Sequence, residues 1–518
     1  MKPVLDAQAI READAYTIAH EPMRSIDLME RAAARCVERI LHWHGQGRFG
    51  DPSAVVYHIV AGMGNNGGDG LAIARLLHLH GLKVRVTRVA HRGTPSPDNL
   101  ENWEQASALG VAMEDLLEGE HESPIGGNDI LIDTLFGTGL NAPLKGWIGE
   151  VIETINRSGR PVVSIDMPSG LFTEDNRTND TGAIVQADLM LTLEVPKLAF
   201  FFSENHRFIG DWEILPIGLD AEFIAGLPAN HFLTESTDVT RILQPRPRFA
   251  HKGNFGHALI IAGGTGKMGA AVLATKAAAR SGTGLVTAHV SNSGAAALHA
   301  TVPEAMCSID PGVNWIEDLP SIDPFTAVGI GPGIGMDGAT RTVLKRLIQA
   351  GSQSLVIDAD ALNILAENPT WQAFLPPGSI LTPHPKEFDR LMGSASSSGF
   401  ERLEQARAMA QRLASVIVLK GAWTAVCDPG GRVFFNPTGN PGMAKGGSGD
   451  ALTGLLTGLR AQGYGPVEAA VLGVYLHGAA GDIAATELGM DGMTAGDIIA
   501  AIPAAWKQLR RASEKSLE

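Results

Sequence analysis

Apolar runs alternate with helix-spaced apolar positions along most of the chain. Residues 25–43 carry Ile26, Met29, Ala33, Val37 and Ile40 at helical spacing, which predicts an amphipathic helix. AVVYHIVA (54–61) is a short β-branched run that ends in GMGNNGGDG (62–70), and LAIARLLHLHG follows as a helix closed by Gly81. KVRVTRVA (83–90), ILIDTLFGTGL (130–140) and VVSIDMPSG (162–170) read as further strands, each with a polar or glycine-rich C-terminal end. Strand, loop and helix in that rhythm predict a doubly wound parallel sheet, whose ligands gather where the strands end.

The rhythm breaks after DWEILPIGL (211–219), where Pro228, Pro245, Pro247 and the segment QPRPRFAHKGNFG intervene. It restarts at ALIIAGG (258–264) and continues through AVGIGPGIG (327–335), SLVIDADAL (354–362), SILTPHPKEF (379–388) and VIVLKGAWTAV (416–426). GRVFFNP (431–437) suggests a return hairpin, and a glycine-rich loop leads into the helix ALTGLLTGLRAQG (451–463). A boundary near 225 predicts two α/β domains, 1–225 and 226–518. Their motifs differ, so the chain reads as a fusion and not a repeat, and the tail SEKSLE is expected to fray.

Composition narrows the classes. With 518 residues, 44% hydrophobic and 19% charged, the chain has material for more than one core and no signature of disorder. The net charge of −15 repels phosphate backbones and anionic lipid, so neither nucleic acid nor membrane is expected as a partner. No stretch approaches the ~20 apolar residues of a spanning helix. Asp6 in MKPVLDAQAI is unlike a signal peptide, so a cytoplasmic location is expected. Cys36, Cys307 and Cys427 are isolated, which excludes a disulfide framework and a cysteine zinc site.

The 61 glycines point to the chemistry. Gly62, Gly64 and Gly67 satisfy G-x-G-x-x-G, but no acidic residue follows about 20 positions on, as a dinucleotide fingerprint wants. Arg88, His91 and Arg92 stand there instead, cations compatible with a 2′-phosphate, but the simpler reading is that this is no ordinary hydride-transfer Rossmann unit. Glycine N–H groups at the helix start would cradle an anion, and Asn65, Asn66 and Asp69 add side-chain oxygens. Asp133 and Asp166 sit at strand ends, with Ser169 following. Asn66, Asp133 and Ser169 would make an oxygen-only site for a hard cation; the competing reading is that these residues cap helices.

In the second half, GNPGMAKGGSGD (439–450) precedes a helix and reads as an anion hole closed by Asp450 at the N-cap. The helix terminus would keep Asp450 ionised and able to accept a proton from a substrate hydroxyl, unless it is a simple cap. GGTGKMG (263–269) is no P-loop, because its lysine comes too early. Lys420 in LKGAWT ends a strand, where it suits a nucleotide phosphate or ribose. His384 stands between two prolines that fix its backbone and present it to a substrate. Asp358 and Asp360 either touch an ion or cap the next helix.

AGMGNNGGDG, IDTLFGTGL, SIDMPSGL and EVPK, in that order, resemble the YjeF N-terminal family of NAD(P)H-hydrate epimerases. The resemblance implies interconversion of the R and S forms of NADHX or NADPHX, reduced nicotinamides hydrated at C6. It implies substrate contacts at Asn65, Asn66, Gly67, Gly68 and Asp69 and at Gly137, Thr138, Gly139, Leu140, Asn141, Ala142 and Pro143. It also implies K⁺ on Asn66, Asp133 and Ser169, with Asp166 facing the hydrated ring as acid/base. One departure is Phe172, where the family usually carries an acidic residue.

HKGNFGHALIIAGG, GPGIG, DADALN, TPHPKEF, LKGAWT and GMAKGGSGD together are similar to the ADP-dependent NAD(P)H-hydrate dehydratases of the ribokinase-like superfamily. That likeness implies substrate contacts at Ala270, Gly333, His384 and Asp450. It implies nucleotide contacts at Lys420, Gly421, Ala422, Trp423, Thr424 and Gly449, with ADP as co-substrate and Mg²⁺ beside it. The implied fold is a Rossmann-like doubly wound α/β/α sandwich followed by a ribokinase-like α/β/α domain. A homo-oligomer is expected from two long Ala-rich helical stretches. The alternative reading is a ribokinase-like small-molecule kinase fused to a non-catalytic ligand-binding domain.

Overall fold

The structure, a computed structural model, describes all residues except 49, 52, 92, 121–124, 352–353 and 516–518. Arg92 and the end of the SEKSLE tail therefore lie outside the described residues. The chain divides into two compact units, Lys2–Ala229 and Asn230–Glu518.

The strands of the first unit are β1 (Val56–Ala61), β2 (Lys83–Val89), β3 (Ala112–Leu116), β4 (Asp129–Thr134), β5 (Val162–Ile165), β6 (Leu189–Leu193) and β7 (Asp211–Leu215). They lie in the order β3-β2-β1-β4-β5-β6-β7, with every neighbouring pair parallel. The order reverses between β1 and β4, which opens a crevice at the strand C-termini. Helices α1 (Ala7–His20), α2 (Ser25–Gly45), α3 (Asn65–Leu79), α4 (Pro97–Ala108) and α5 (Trp147–Arg157) accompany the sheet.

Strand residues alternate between two cores. Ile59, Ile130, Ile132 and Ile165 pack with Val37 and Ile40 of α2 and Leu71 and Leu77 of α3. Val60, Leu131 and Val162 pack with Val151, Ile152 and Ile155 of α5 on the other face. A sheet covered on both faces writes continuous apolar runs, which is why these strands are legible in the sequence.

Helix α3 begins at Asn65, inside the stretch read as a loop. The glycines there serve close packing. A Cβ on Gly70 would lie 2.1 Å from Thr134 Oγ1, and one on Gly67 would lie 1.9 Å from the Gly62 carbonyl oxygen.

The second unit has strands β8 (His231–Leu233), β9 (His257–Ile261), β10 (Leu285–Val290), β11 (Met306–Ile309), β12 (Ala327–Ile330), β13 (Leu355–Ile357), β14 (Ile380–Leu381), β15 (Val416–Leu419), β16 (Ala425–Cys427) and β17 (Val433–Phe435). Their order is β8-β17-β16-β15-β14-β13-β12-β9-β10-β11. β16 is antiparallel to β15 and to β17, forming the return hairpin, and the other pairs are parallel. Helices α6 (Met268–Arg280), α7 (Ala359–Glu367), α8 (Pro385–Met392), α9 (Ser448–Ala461), α10 (Pro466–Leu488) and α11 (Ala495–Lys515) position the residues discussed below. Leu455 and Leu459 of α9, Leu472 and Leu476 of α10 and Ile498 and Ile502 of α11 share a core with Val356, Ile380 and Val416.

Helix α11 runs through Lys515, so the tail expected to fray is helical at its start. Among the described residues no helix is long and apolar enough to cross a membrane.

Candidate active sites

The C-terminal ends of β1, β4, β5 and β6 open on a cavity of about 790 Å³. Of the residues singled out in the sequence, Asn65, Asn66, Asp69, Gly137, Thr138, Gly139, Leu140 and Asp166 line it. Gly67 and Gly68 do not, because they are buried where α3 packs. Asn141, Ala142 and Pro143 are not among the lining residues, nor are Asp133 and Ser169.

Asp166 follows β5 with φ 67, a left-handed conformation that is strained for a residue with a Cβ. Its carboxylate accepts hydrogen bonds from Leu193 N at 3.3 Å and from the ammonium of Lys197. Lys197 is fully buried and also donates to Thr192 Oγ1 at 2.7 Å and to the Leu193 carbonyl at 3.3 Å. The reading of EVPK gave Lys197 no role. A fully buried lysine needs an acidic partner, and that requirement is the one signal the sequence held.

Three further carboxyl groups line the cavity: Asp69, Glu194, which accepts from the N–H groups of Ile217, Gly218 and Leu219, and, from α1, Asp14. Burial, and then the charge of Asp166, push the Asp14 carboxyl up to about 6 against the pull of Lys197. Burial, Asp166 and Asp14 likewise raise Asp69 well above the usual range.

Asp133 lies behind the cavity wall. It accepts from Ser164 Oγ at 2.7 Å, Ser169 N at 2.9 Å, Ser169 Oγ at 2.5 Å and Leu135 N at 3.3 Å. Burial raises its pKa in spite of these bonds. Asn66 Nδ2 donates to the Ile165 carbonyl at 2.9 Å, while its Oδ1 is buried with no hydrogen-bond partner. Asp133 lies within β4, and Asp166 precedes no helix, so the capping reading is excluded for both.

Arg88 is also spent structurally. It makes two bonds to Asp115, at 2.7 and 3.0 Å, and stacks 3.7 Å over Trp103, so it does not face a 2′-phosphate site. His91 lines the cavity.

In the second unit the expected residues fall around two cavities. One, about 440 Å³, is lined by Lys267, Ala270, Gly333, Asp360, Gly446, Gly447 and Asp450. The other, about 720 Å³, takes in His384, Lys420, Gly421, Ala422, Thr424 and Gly449; Trp423 is not among its lining residues. Gly446 lines both, so they meet along the glycine run. His384 thus faces the cavity of the nucleotide candidates and not that of Ala270, Gly333 and Asp450.

Asp450 corrects one expectation. The residue capping α9 is Gly447, at φ 94, where a Cβ would come 2.5 Å from Leu273 Cδ1; Asp450 sits one turn further in. Burial, then Asp358, push its pKa up to about 6, with Lys420 opposing and Asp360 adding to the rise. Burial thus opposes the helix terminus, and the carboxyl ionises above about pH 6.

Asp358 accepts from Lys420 Nζ at 2.9 Å and Thr453 Oγ1 at 2.7 Å, and Asp360 accepts from Gly335 N at 2.9 Å and Lys267 Nζ at 3.1 Å. Neither caps α7. Burial opposes the charge of Lys420, but Asp358 and Glu387 outweigh it and raise the ammonium. His384 caps α8 through Nδ1, which accepts from Lys386 N at 3.2 Å, and burial lowers its pKa. His477, on α10, was not foreseen; it lines the larger cavity, and burial drives its pKa down to about 4.

The family model described as NAD(P)H-hydrate dehydratase matches residues 258–504, and the YjeF-related protein N-terminus model matches residues 25–199. The chain is similar to the bifunctional NAD(P)H-hydrate repair enzyme of Moorella thermoacetica, 36% identical over 99% of this chain and 98% of that one. It is also similar to the Escherichia coli enzyme of the same description, 32% identical over 87% of this chain and 85% of its relative. A crystal structure of the Bacillus subtilis ADP/ATP-dependent NAD(P)H-hydrate dehydratase aligns at 31% identity and TM-score 0.48, covering 53% of this chain and 97% of that one.

Proposed function

Because the chain belongs to the family of bifunctional NAD(P)H-hydrate repair enzymes, with epimerase and dehydratase activities, we propose that its two units divide the work between Asp166 and Asp450. The observation that carries this reading is that each aspartate lines a cavity shared with a glycine-bearing turn into a helix, Gly64 before α3 in the first unit and Gly446 and Gly447 before α9 in the second. The small-molecule kinase reading is not favoured, since relatives spanning nearly the whole chain are repair enzymes.

In the first unit, Asp166 faces the hydrated ring of NAD(P)HX as proton acceptor, with Lys197 fixing its position. Asn65, Asn66 and Asp69 and the run Gly137 to Leu140 hold the substrate. K⁺ fits behind the wall. The Asn66 Oδ1 is an orphaned oxygen, and Asp133 is a buried carboxylate with no ion pair among the described residues. Asn66, Asp133 and Ser169 would hold the ion, which when bound supplies the missing positive charge.

In the second unit, Asp450 takes the proton of the C6 hydroxyl of the S epimer as that oxygen attacks the terminal phosphoryl group of ADP. AMP leaves, and the phosphorylated hydroxyl then departs from C6 as phosphate, which carries off the proton given up by C5, restoring the dihydropyridine. Lys420 and the N–H groups at the start of α9 offset the phosphate charge. Mg²⁺ would be held from the neighbouring cavity of Asp450, where Asp360 Oδ1 has no hydrogen-bond partner among the described residues, with the remaining ligands from phosphates and water.

The test is an assay of full-length protein with R-NADHX, S-NADHX and ADP. Return of absorbance at 340 nm with one AMP and one phosphate per turnover is expected. A stable phosphate ester would overturn the reading in favour of the kinase.

A further inference from the structure

Helix α1 contributes Ile10, Asp14 and Ile18 to the cavity of the first unit. They are four residues apart and so share one stripe of the helix. A carboxyl between two isoleucines on a cavity wall is poorly hydrated, and Asp14 has no hydrogen bond or ion pair with any described residue. Nothing about its packing requires an aspartate there. Asp166, in the same cavity, is ion-paired to the buried ammonium of Lys197. Of the four carboxyl groups lining the cavity, Asp166 is paired with a cation, Glu194 accepts three backbone N–H bonds and Asp69 is buried on α3, while Asp14 stands in an apolar stripe, so Asp166 and Asp14 sit in opposite environments. That division is how a pair of carboxyls separates into a base and an acid.

We propose that Asp14 is the second catalytic group of this site, giving its proton to ring N1 while Asp166 takes the proton of the C6 hydroxyl. The proposal rests on the epimerase reading of the cavity and adds the residue that lets the reaction balance. As Asp166 removes the hydroxyl proton, C6 becomes a carbonyl and the C6–N1 bond breaks. The electron pair of that bond stays on N1, which takes the proton from Asp14. The products of this half are a neutral enamine N–H and an aldehyde; nothing is oxidised or reduced. The carbonyl turns about C5–C6, N1 attacks its other face and returns its proton to Asp14, and the new hydroxyl takes the proton held by Asp166. Without an acid, C6–N1 cleavage would leave a nitrogen anion in a poorly solvated cavity.

The charged groups facing Asp14 are Asp166 after β5, Glu194 after β6, the ammonium of Lys197 and Asp69 on α3, with Arg11 on its own helix and His91 also lining the cavity. Burial and the carboxylates outweigh Lys197, so Asp14 gives up its proton at about 6. R-to-S conversion should accordingly decline about tenfold per pH unit above that point.

The experiment follows R-NADHX and S-NADHX by chromatography without nucleotide, from pH 5 to 8.5, for full-length protein, Asp14→Asn and Asp14→Glu. Asp14→Asn is expected to lose about 100-fold or more in kcat, with KM changed less than threefold, and to lose the alkaline decline. Asp14→Glu should recover part of the rate and keep a decline, and dehydration of S-NADHX with ADP should be unchanged in both variants. Wild-type turnover in Asp14→Asn, or a lower rate with the alkaline decline intact, overturns the role of Asp14 alone. Absence of epimerisation by the wild type overturns the reading of the cavity together with it.

Discussion

Replacing Asp450 with asparagine should abolish dehydration and at the same time stabilise the second unit. The folded state raises this carboxyl from the ordinary 3.8 to about 6. The group is harder to ionise when folded, so above both values the fold carries the full cost of the charge, and below about 4 it carries none. A difference of about 2 pH units corresponds to roughly 3 kcal/mol, and partial exposure of the side chain reduces this to about 1–2 kcal/mol. Asparagine has no charge to desolvate. The variant should therefore gain about 1–2 kcal/mol at pH 7.5 and nothing near pH 4, the gain growing as pH rises between about 4 and 6. Urea unfolding at the two pH values, with hydrogen exchange of peptides from α9, measures it. Dehydration by the wild type should rise through about pH 6 and level off, since the base must be ionised, and the variant should show no such turnover. A variant less stable than wild type at pH 7.5, an equal gain at both pH values, or near-normal dehydration would refute the reasoning.

Asp166→Asn should slow consumption of R-NADHX by about 10²–10⁴-fold while sparing dehydration of S-NADHX; equal loss on both epimers would count against separate sites. Gly70→Ala places a methyl 2.1 Å from Thr134 Oγ1 and should cost the first unit about 1–3 kcal/mol in urea unfolding. Exchanging K⁺ for a bulky organic cation should depress epimerisation in the wild type, and Asp133→Asn should remove that response. An unchanged rate without K⁺ would dismiss the ion.

Much of this was legible because a parallel sheet covered on both faces writes its strands as unbroken apolar runs, so the polar ends stand out. Asp133 and Asp166 were found by that contrast, and Asp450 by the glycine run before its helix. The glycine runs misled in one respect: α3 and α9 start inside them, because Gly67 and Gly70 are there for close approach and Gly447 for its left-handed cap. Lys197 and Asp166 are 31 positions apart and meet because β5 and β6 are adjacent and parallel, with Ile165 beside Leu191. No spacing rule reaches across that distance.

Much of the succession of strands and helices, the turns that carry the chemistry and the family were determined by the sequence alone, since those depend on residues close along the chain, although α1, α4, β3 and β6 were not read from it. The ionisation of the carboxyls was decided by the tertiary structure. Beside a helix terminus Asp450 looks like a stabilised anion, yet burial with Asp358 and Asp360 raises it; on α1, which the sequence reading did not single out, burial and then Asp166 raise Asp14 too. The energy of a charge depends on the water removed from it and on the charges brought near it, and folding sets both through segments far apart in sequence.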